Sequence, residues 1–212
     1  NFSNNEKVFV SVKTQKDSSV ITTFYSDRAK PFVKKYKFIK GFEGGNLDFS
    51  STKVNNTSKS KLIIDNFKVQ EIPVLAKILT LASLQGIADL LTGEGVRFTD
   101  FEMIYSNKGS LMTIDEIYAI GPAISIMMEG YVESQKIVSL RGTLVPATTI
   151  NRVISSIPLL GNLLVGKKVG EGVFGVSFKI KGPPKDLKTT VNPIKTLTPR
   201  FITRTLEKIK KN

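Results

Sequence analysis

Between residues 96 and 144 the chain alternates apolar and polar residues in four consecutive segments, 96–105, 111–120, 124–133 and 137–144, joined by only a few residues each. Asn107-Lys108-Gly109, Gly121-Pro122 and residues 133–136 supply turn chemistry at the joints. A parallel pair needs a crossover of a dozen or more residues, so segments joined this tightly are antiparallel neighbours. In the third, Ile124, Ile126 and Met128 point one way and Ser125, Met127 and Glu129 the other; in the fourth, Val138, Leu140 and Leu144 oppose Ser139, Arg141 and Thr143. The pattern predicts a sheet with one apolar face and one mostly wet face.

The flanking sequence extends this sheet. Val8-Phe9-Val10-Ser11-Val12 and Val20-Ile21-Thr22-Thr23-Phe24-Tyr25 read as a hairpin, rich in β-branched and aromatic residues. Asp27 is placed to cap a short helix carrying Phe32 and Tyr36, with Pro31 in its first turn and Gly41 at its end. Residues 61–69 form a further strand, and 173–181 show the cleanest alternation in the chain. There Phe174, Val176, Phe178 and Ile180 oppose Gly175, Ser177, Lys179 and Lys181. Leu187 to Val191 reads as an edge strand before Pro193. An apolar stripe of this kind is required equally of a buried core and of a groove wall.

The chain also repeats itself. Ile72-Pro73-Val74-Leu75 leads to Gly93-Glu94-Gly95-Val96, and Ile157-Pro158-Leu159-Leu160 leads to Gly170-Glu171-Gly172-Val173. A weaker third unit ends at Gly44-Gly45 before Leu47 and Phe49. Each reads as helix, glycine turn, strand, which favours an elongated or stacked architecture over an enzyme pocket. The helix opened by Pro73 is expected to run to about Leu91, with a break near Gly86. Lys77, Ser83, Gln85 and Asp89 do not share one side of it, so burial on several sides is expected.

Several chemistries are excluded or disfavoured. The 212 residues include no cysteine and no histidine, which removes zinc fingers, thiolate catalysis and imidazole relays. Gly161-Asn162-Leu163-Leu164-Val165-Gly166-Lys167 has phosphate-loop spacing, but Lys168 replaces the magnesium-binding hydroxyl and the interior is bulky, so the match is ascribed to chance. The carboxylates Asp100 with Glu102, Asp115-Glu116 and Glu129 with Glu133 lack an orienting partner and are expected on a solvated face. No catalytic residue, metal ligand or cofactor is assigned, and the chain is read as non-enzymatic.

The net charge of +13 is segmented. Residues 1–61 carry 12 Lys/Arg against 5 Asp/Glu, 62–134 carry 4 against 10, and 135–212 carry 15 against 3. A polyanion-binding protein keeps its basic residues on one face, so nucleic acid is not the expected partner, and anionic membrane remains open at the ends. Residues 199–212 read as a basic amphipathic helix, with Thr198 as its cap and Ile202, Leu206 and Ile209 opposite Arg200, Arg204, Lys208 and Lys211. Such a helix lies on an anionic membrane or partner, or docks on a sheet with its basic face in water. No run has the ~18 uninterrupted apolar residues of a membrane-spanning helix. The start at Asn1, without signal-peptide features, reads as a fragment whose membrane anchor lies elsewhere.

Residues 62–199 resemble the C-terminal region of AsmA-like proteins, especially the YhdP-type alphaproteobacterial branch and more distantly TamB. The resemblance is carried by the order of Ile72-Pro73-Val74-Leu75-Ala76, Leu90-Leu91-Thr92-Gly93-Glu94-Gly95, Gly121-Pro122-Ala123 and Leu140-Arg141-Gly142-Thr143-Leu144-Val145-Pro146-Ala147. It continues through Ile157-Pro158-Leu159-Leu160-Gly161, Gly170-Glu171-Gly172-Val173-Phe174, Gly182-Pro183 and Val191-Asn192-Pro193. It implies a mainly β fold with flanking helices: a long antiparallel sheet curled into an open groove, with short helices between strand groups and at the C-terminus. The divisions expected are a β-rich unit at 1–61, the groove region at 62–198 and the basic helix at 199–212. By the same resemblance Phe174, Val176, Phe178, Ile180, Ile124, Ile126, Met128, Leu140 and Leu144 line a groove for phospholipid acyl chains. Arg200, Arg204, Lys208 and Lys211 would meet a membrane surface at the C-terminal end. The implied role is passive phospholipid transport between inner and outer membrane, in the periplasm, within a longer inner-membrane-anchored protein. The alternative is a scaffold for outer-membrane protein assembly, whose sheet edges pair with client strands.

Overall fold

The computed structural model describes residues 6–36, 39–147 and 175–194. Among the described residues ten strands run in chain order across one antiparallel sheet that does not close into a barrel. They are β1 (Val8–Thr14), β2 (Val20–Ser26), β3 (Glu43–Val54), β4 (Thr57–Val69), β5 (Val96–Lys108), β6 (Leu111–Ile120), β7 (Ile124–Glu133), β8 (Ile137–Pro146), β9 (Gly175–Gly182) and β10 (Lys188–Ile194). The expected hairpin, meander and edge strand are all present, and Pro193 lies within β10 rather than after it. The division expected after residue 61 falls inside β4, and the strands on either side of it share the sheet.

The connections differ in kind at the two ends. Those leaving β1, β3, β5, β7 and β9 are turns of two to five residues. Asn55, Gly109 and Gln135 supply positive φ in three of them (52°, 60° and 61°), as short hairpin turns require. The helices sit at the other end: α1 (Lys30–Val33) follows β2, and α2 (Pro73–Leu81) and α3 (Gln85–Thr92) follow β4. Pro73 opens α2 after the extended Ile72, where no helical N–H partner is lost. The helical stretch breaks at residues 82–84, where Ser83 has φ 57°, close to the expected position near Gly86. Burial is one-sided, not all round: Leu75, Ile78 and Leu79 are buried while Lys77, Thr80 and Leu81 are exposed. At Gly95 φ is +92°, and a Cβ would stand 2.8 Å from the Val69 carbonyl oxygen, so the glycine makes the turn into β5. Gly44 and Gly45 also take positive φ, but within β3. The second Gly-Glu-Gly-Val copy, Gly170 to Val173, lies outside the described residues.

The three helices among the described residues pack on one face, and the sheet curls around them. Leu75, Ile78 and Leu79 of α2 join Leu47, Ile64 and Phe67 from β3 and β4, and also Val176, Phe178 and Ile180 from β9, in a single core. α2 touches β10 although it leaves the sheet at β4. Breaks in strand periodicity accompany the curl. Asn66 takes φ 54° within β4, which brings Ile64 and Phe67, three apart, to the same face. In β6 the pairing shifts at Asp115-Glu116 against both neighbours, and Ile114 and Ile117 are both buried. A bulge of this kind bends the strand and deepens its twist.

The expected Asp27 cap is not made: α1 is four residues long, with Ala29 at its N-cap and no side-chain cap bond. Asp27 instead ties down β1. The Lys7 backbone N–H donates to its carboxylate at 2.8 Å and the Tyr25 hydroxyl at 2.7 Å. The Tyr25 hydrogen bond, then that from Lys7, holds the Asp27 carboxyl below its ordinary value. A depressed folded-state value means that this contribution is present above the unfolded carboxyl range and lost as pH falls through the folded one. Hydrogen exchange should therefore show β1 amides losing protection ahead of β4 and β5 on acidification, and Asp27→Ala should show that loss already at neutral pH. Uniform protection across β1 and β4 in acid would contradict this role.

Candidate functional site

Residues paired across an antiparallel sheet share a face, so the register maps the concave side. One row runs Ser26, Leu47, Ile64, Phe101, Ala119, Ile126, Leu144, Val176. The next runs Phe24, Phe49, Leu62, Met103, Ile117, Met128, Gly142, Phe178. Apolar side chains thus continue from β2 to β9 without a charged residue in either row.

Every expected lining residue within the described chain lies on this face. Ile126 stands across from Leu144, Leu144 from Val176, and Leu140 from Ile180. Their surroundings differ, however. Ile124, Ile126, Leu144, Val176, Phe178 and Ile180 are buried in the core shared with the helices, whereas Met128 and Leu140 are half-buried. Phe174, Arg200, Arg204, Lys208 and Lys211 lie outside the described residues. Phe24, Phe49, Leu62 and Met103, which sequence reasoning did not assign, extend the surface through β2 to β5 and are also half-buried. Their alternation in each strand was visible, but only the register shows that it continues that of the meander.

Toward the tight-turn end the face divides. Thr22, Ser51, Ser60 and Tyr105 form a polar row across β2 to β5. The Ser60 hydroxyl donates to Ser51 Oγ at 2.9 Å. Burial pushes the Tyr105 phenol up, with its hydrogen bond to Ser60 acting in the opposite direction. Across β6 to β9 the same row continues as Ile114, Gly130, Leu140 and Ile180. One end of the groove thus sets hydroxyls beside an apolar wall.

On the opposite face several of the described carboxylates sit in ion pairs. Glu102 is 7% exposed, not solvated as expected, and lies 3.3 Å from Lys61 Nζ. Glu116 is buried as well, while Asp115 is exposed at the bulge. Glu129 pairs with Arg141 at 2.6 Å and Glu133 with Lys136. A recess of about 380 Å³ opens there among Met127, Glu129, Arg141, Thr143, Ser177 and Lys179. Among the described residues no cluster of three metal-ligating groups occurs, and no helix is long and apolar enough to cross a membrane.

The arrangement defines a class: an unclosed single-sheet β-groove with an apolar concave face stopped at one end by helices. No family model, curated protein or solved structure matches the chain.

Proposed function

We propose that this chain is a section of an AsmA-like envelope protein whose groove carries phospholipid acyl chains passively between the inner and outer membrane. The reading places it in the periplasm, within a longer protein anchored in the inner membrane. The observation that carries it is the apolar concave face running from β2 to β9 on a sheet that stays open along its edges. Each methylene moved from water onto such a surface gains ~0.8 kcal/mol, so an acyl chain is held without a reaction or a dedicated headgroup pocket. The division between the Ser51, Ser60 and Tyr105 hydroxyls and the Leu140 wall suits a molecule with one polar and one apolar end.

Charging the half-buried wall tests this. After incubation with phosphatidylethanolamine and phosphatidylglycerol vesicles, native mass spectrometry should show phospholipid adducts. Met128→Asp and Leu140→Asp should weaken them about tenfold, the equivalent of ~1.4 kcal/mol. Phe178→Asp is the wrong probe: Phe178 is 3% exposed within the core, so its charge would test folding instead. Absence of adducts, or adducts indifferent to both variants while circular dichroism shows an intact sheet, would sink the proposal.

A further inference from the structure

We propose that the tight-turn end of the concave face over β3 to β5 is a subsite for the anionic phosphate headgroup of a lipid, built from Lys53, Lys35 and the Ser51, Ser60 and Tyr105 hydroxyls. This rests on the reading that the apolar rows hold acyl chains, and adds to it a preference among headgroups.

The register brings the parts together. One step beyond the row of Ser51, Ser60 and Tyr105, the same face carries Lys53, Ser58 and Asn107, paired across β3, β4 and β5. From β6 to β8 that second row continues as Met112, Val132 and Val138. Two adjacent rows are therefore polar over three strands and apolar over the next three. Along the strands the polar patch is bordered by Phe49, Leu62 and Met103. A headgroup seated on it finds apolar surface on two sides for its chains.

Charge decides what the patch attracts. Lys53 is the one charged residue that the register sets in these two rows from β2 to β9, and it is exposed. A second cation comes from the segment after α1, which lies over this side of the sheet: the Phe32 ring meets Phe24 edge-on at 4.7 Å. Three residues on, Lys35 Nζ stands 5.1 Å from the Tyr36 ring centroid. The Tyr105 phenol, pushed up by burial, also feels Tyr36 and Lys35 electrostatically, which sets both beside the hydroxyl row. No ion pair among the described residues involves Lys35 or Lys53. Two such ammonium groups, with no carboxylate in either row, attract a phosphate and repel a headgroup amine.

The hydroxyls complete the site. Ser60 is 6% exposed and donates to Ser51 Oγ at 2.9 Å, so Ser51 keeps its own proton for an outside acceptor. A phosphate oxygen accepts from hydroxyl and ammonium alike, and bonds to an ionised acceptor are the stronger kind. Both lysines stay in contact with water, so the patch selects among lipids that the apolar rows already hold.

Vesicles of phosphatidylglycerol and phosphatidylethanolamine in equal amounts present an anionic and a zwitterionic headgroup in competition. Native mass spectrometry should show about fivefold more adduct of the anionic lipid, as two solvent-exposed charge pairs allow. The double variant Lys35→Gln, Lys53→Gln should return the adduct ratio to that of the vesicles without lowering the total, because the apolar rows are untouched. Lys53→Arg should keep the preference and Lys53→Glu should weaken it, with circular dichroism confirming an intact sheet in each. Glycerophosphoglycerol, the same headgroup without acyl chains, should not displace the lipid when added in excess. Equal adducts of the two lipids on the unaltered protein, or a preference that survives the double variant, would overturn the headgroup site and leave the groove reading standing. No adduct of either lipid would remove both. Displacement by glycerophosphoglycerol would reassign the patch to a soluble phosphate compound and overturn the lipid assignment.

Discussion

Phe67→Ala should lower the unfolding free energy by about 3–5 kcal/mol, seen as a drop in urea midpoint with an unchanged slope. Phe67 is 8% exposed and stacked between Phe42, at 5.2 Å and 16°, and Phe98, at 5.4 Å and 19°. Phe101 meets it edge-on at 6.3 Å. The ring therefore ties the segment entering β3 to β4 and β5, just where Asn66 bends β4 and the helices begin. Truncation leaves a cavity among three rigid aromatic neighbours that cannot collapse to fill it. Total stabilities of domains lie near 5–15 kcal/mol, so the loss is a large share. Phe9→Ala, at an exposed ring on β1, should change stability by no more than about 0.5 kcal/mol. Similar losses for the two variants would show that the aromatic stack is not central to the core.

Gly130→Ala should be comparably damaging, about 3–5 kcal/mol, through backbone strain and overpacking. Gly130 has φ +146°, which L side chains rarely adopt, and a Cβ there would stand 2.1 Å from the Ser139 carbonyl oxygen and 2.9 Å from Leu140 Cα. Both are backbone atoms of β8, held in place by the ladder. The residue also flanks the bulge, pairing with Ile114 in β6 and Leu140 in β8, so it lets β7 follow the bent strand beside it. Gly86→Ala is the matched control: nothing lies within 4 Å of its Cβ position, and in α3 the change should stabilise by up to about 1 kcal/mol. Tolerance of alanine at Gly130, measured by chemical denaturation, would require a different account of the curl.

Short joints and period-two alternation mark β5 to β8 in the sequence, because strand direction and side-chain face are local properties of the backbone. The Ile72-Pro73 to Gly93-Glu94-Gly95 unit was legible for the same reason: proline opens α2 and Gly95 turns into β5. Asp27 misled because a capping side chain and a strand-tying side chain look alike in sequence; its partner Lys7 is twenty residues away. Glu102 misled because alternation assigns a face without saying what covers it, and its partner Lys61 comes from the adjacent strand. The bulge in β6 did leave a signal, in Ile114 and Ile117 three apart where alternation demands two.

The apolar stripe marks the division most clearly. The sequence by itself determined an antiparallel sheet with one apolar face, since alternation and turn length act over a few residues. Only the tertiary structure decided which part of that face is core and which is groove. Ile126, Leu144, Val176 and Phe178 are covered because the sheet curls until α2 reaches β10, while Met128 and Leu140 remain half-buried. Curl accumulates from bulges and twist over ten strands, and burial depends on the distance between elements far apart in the chain.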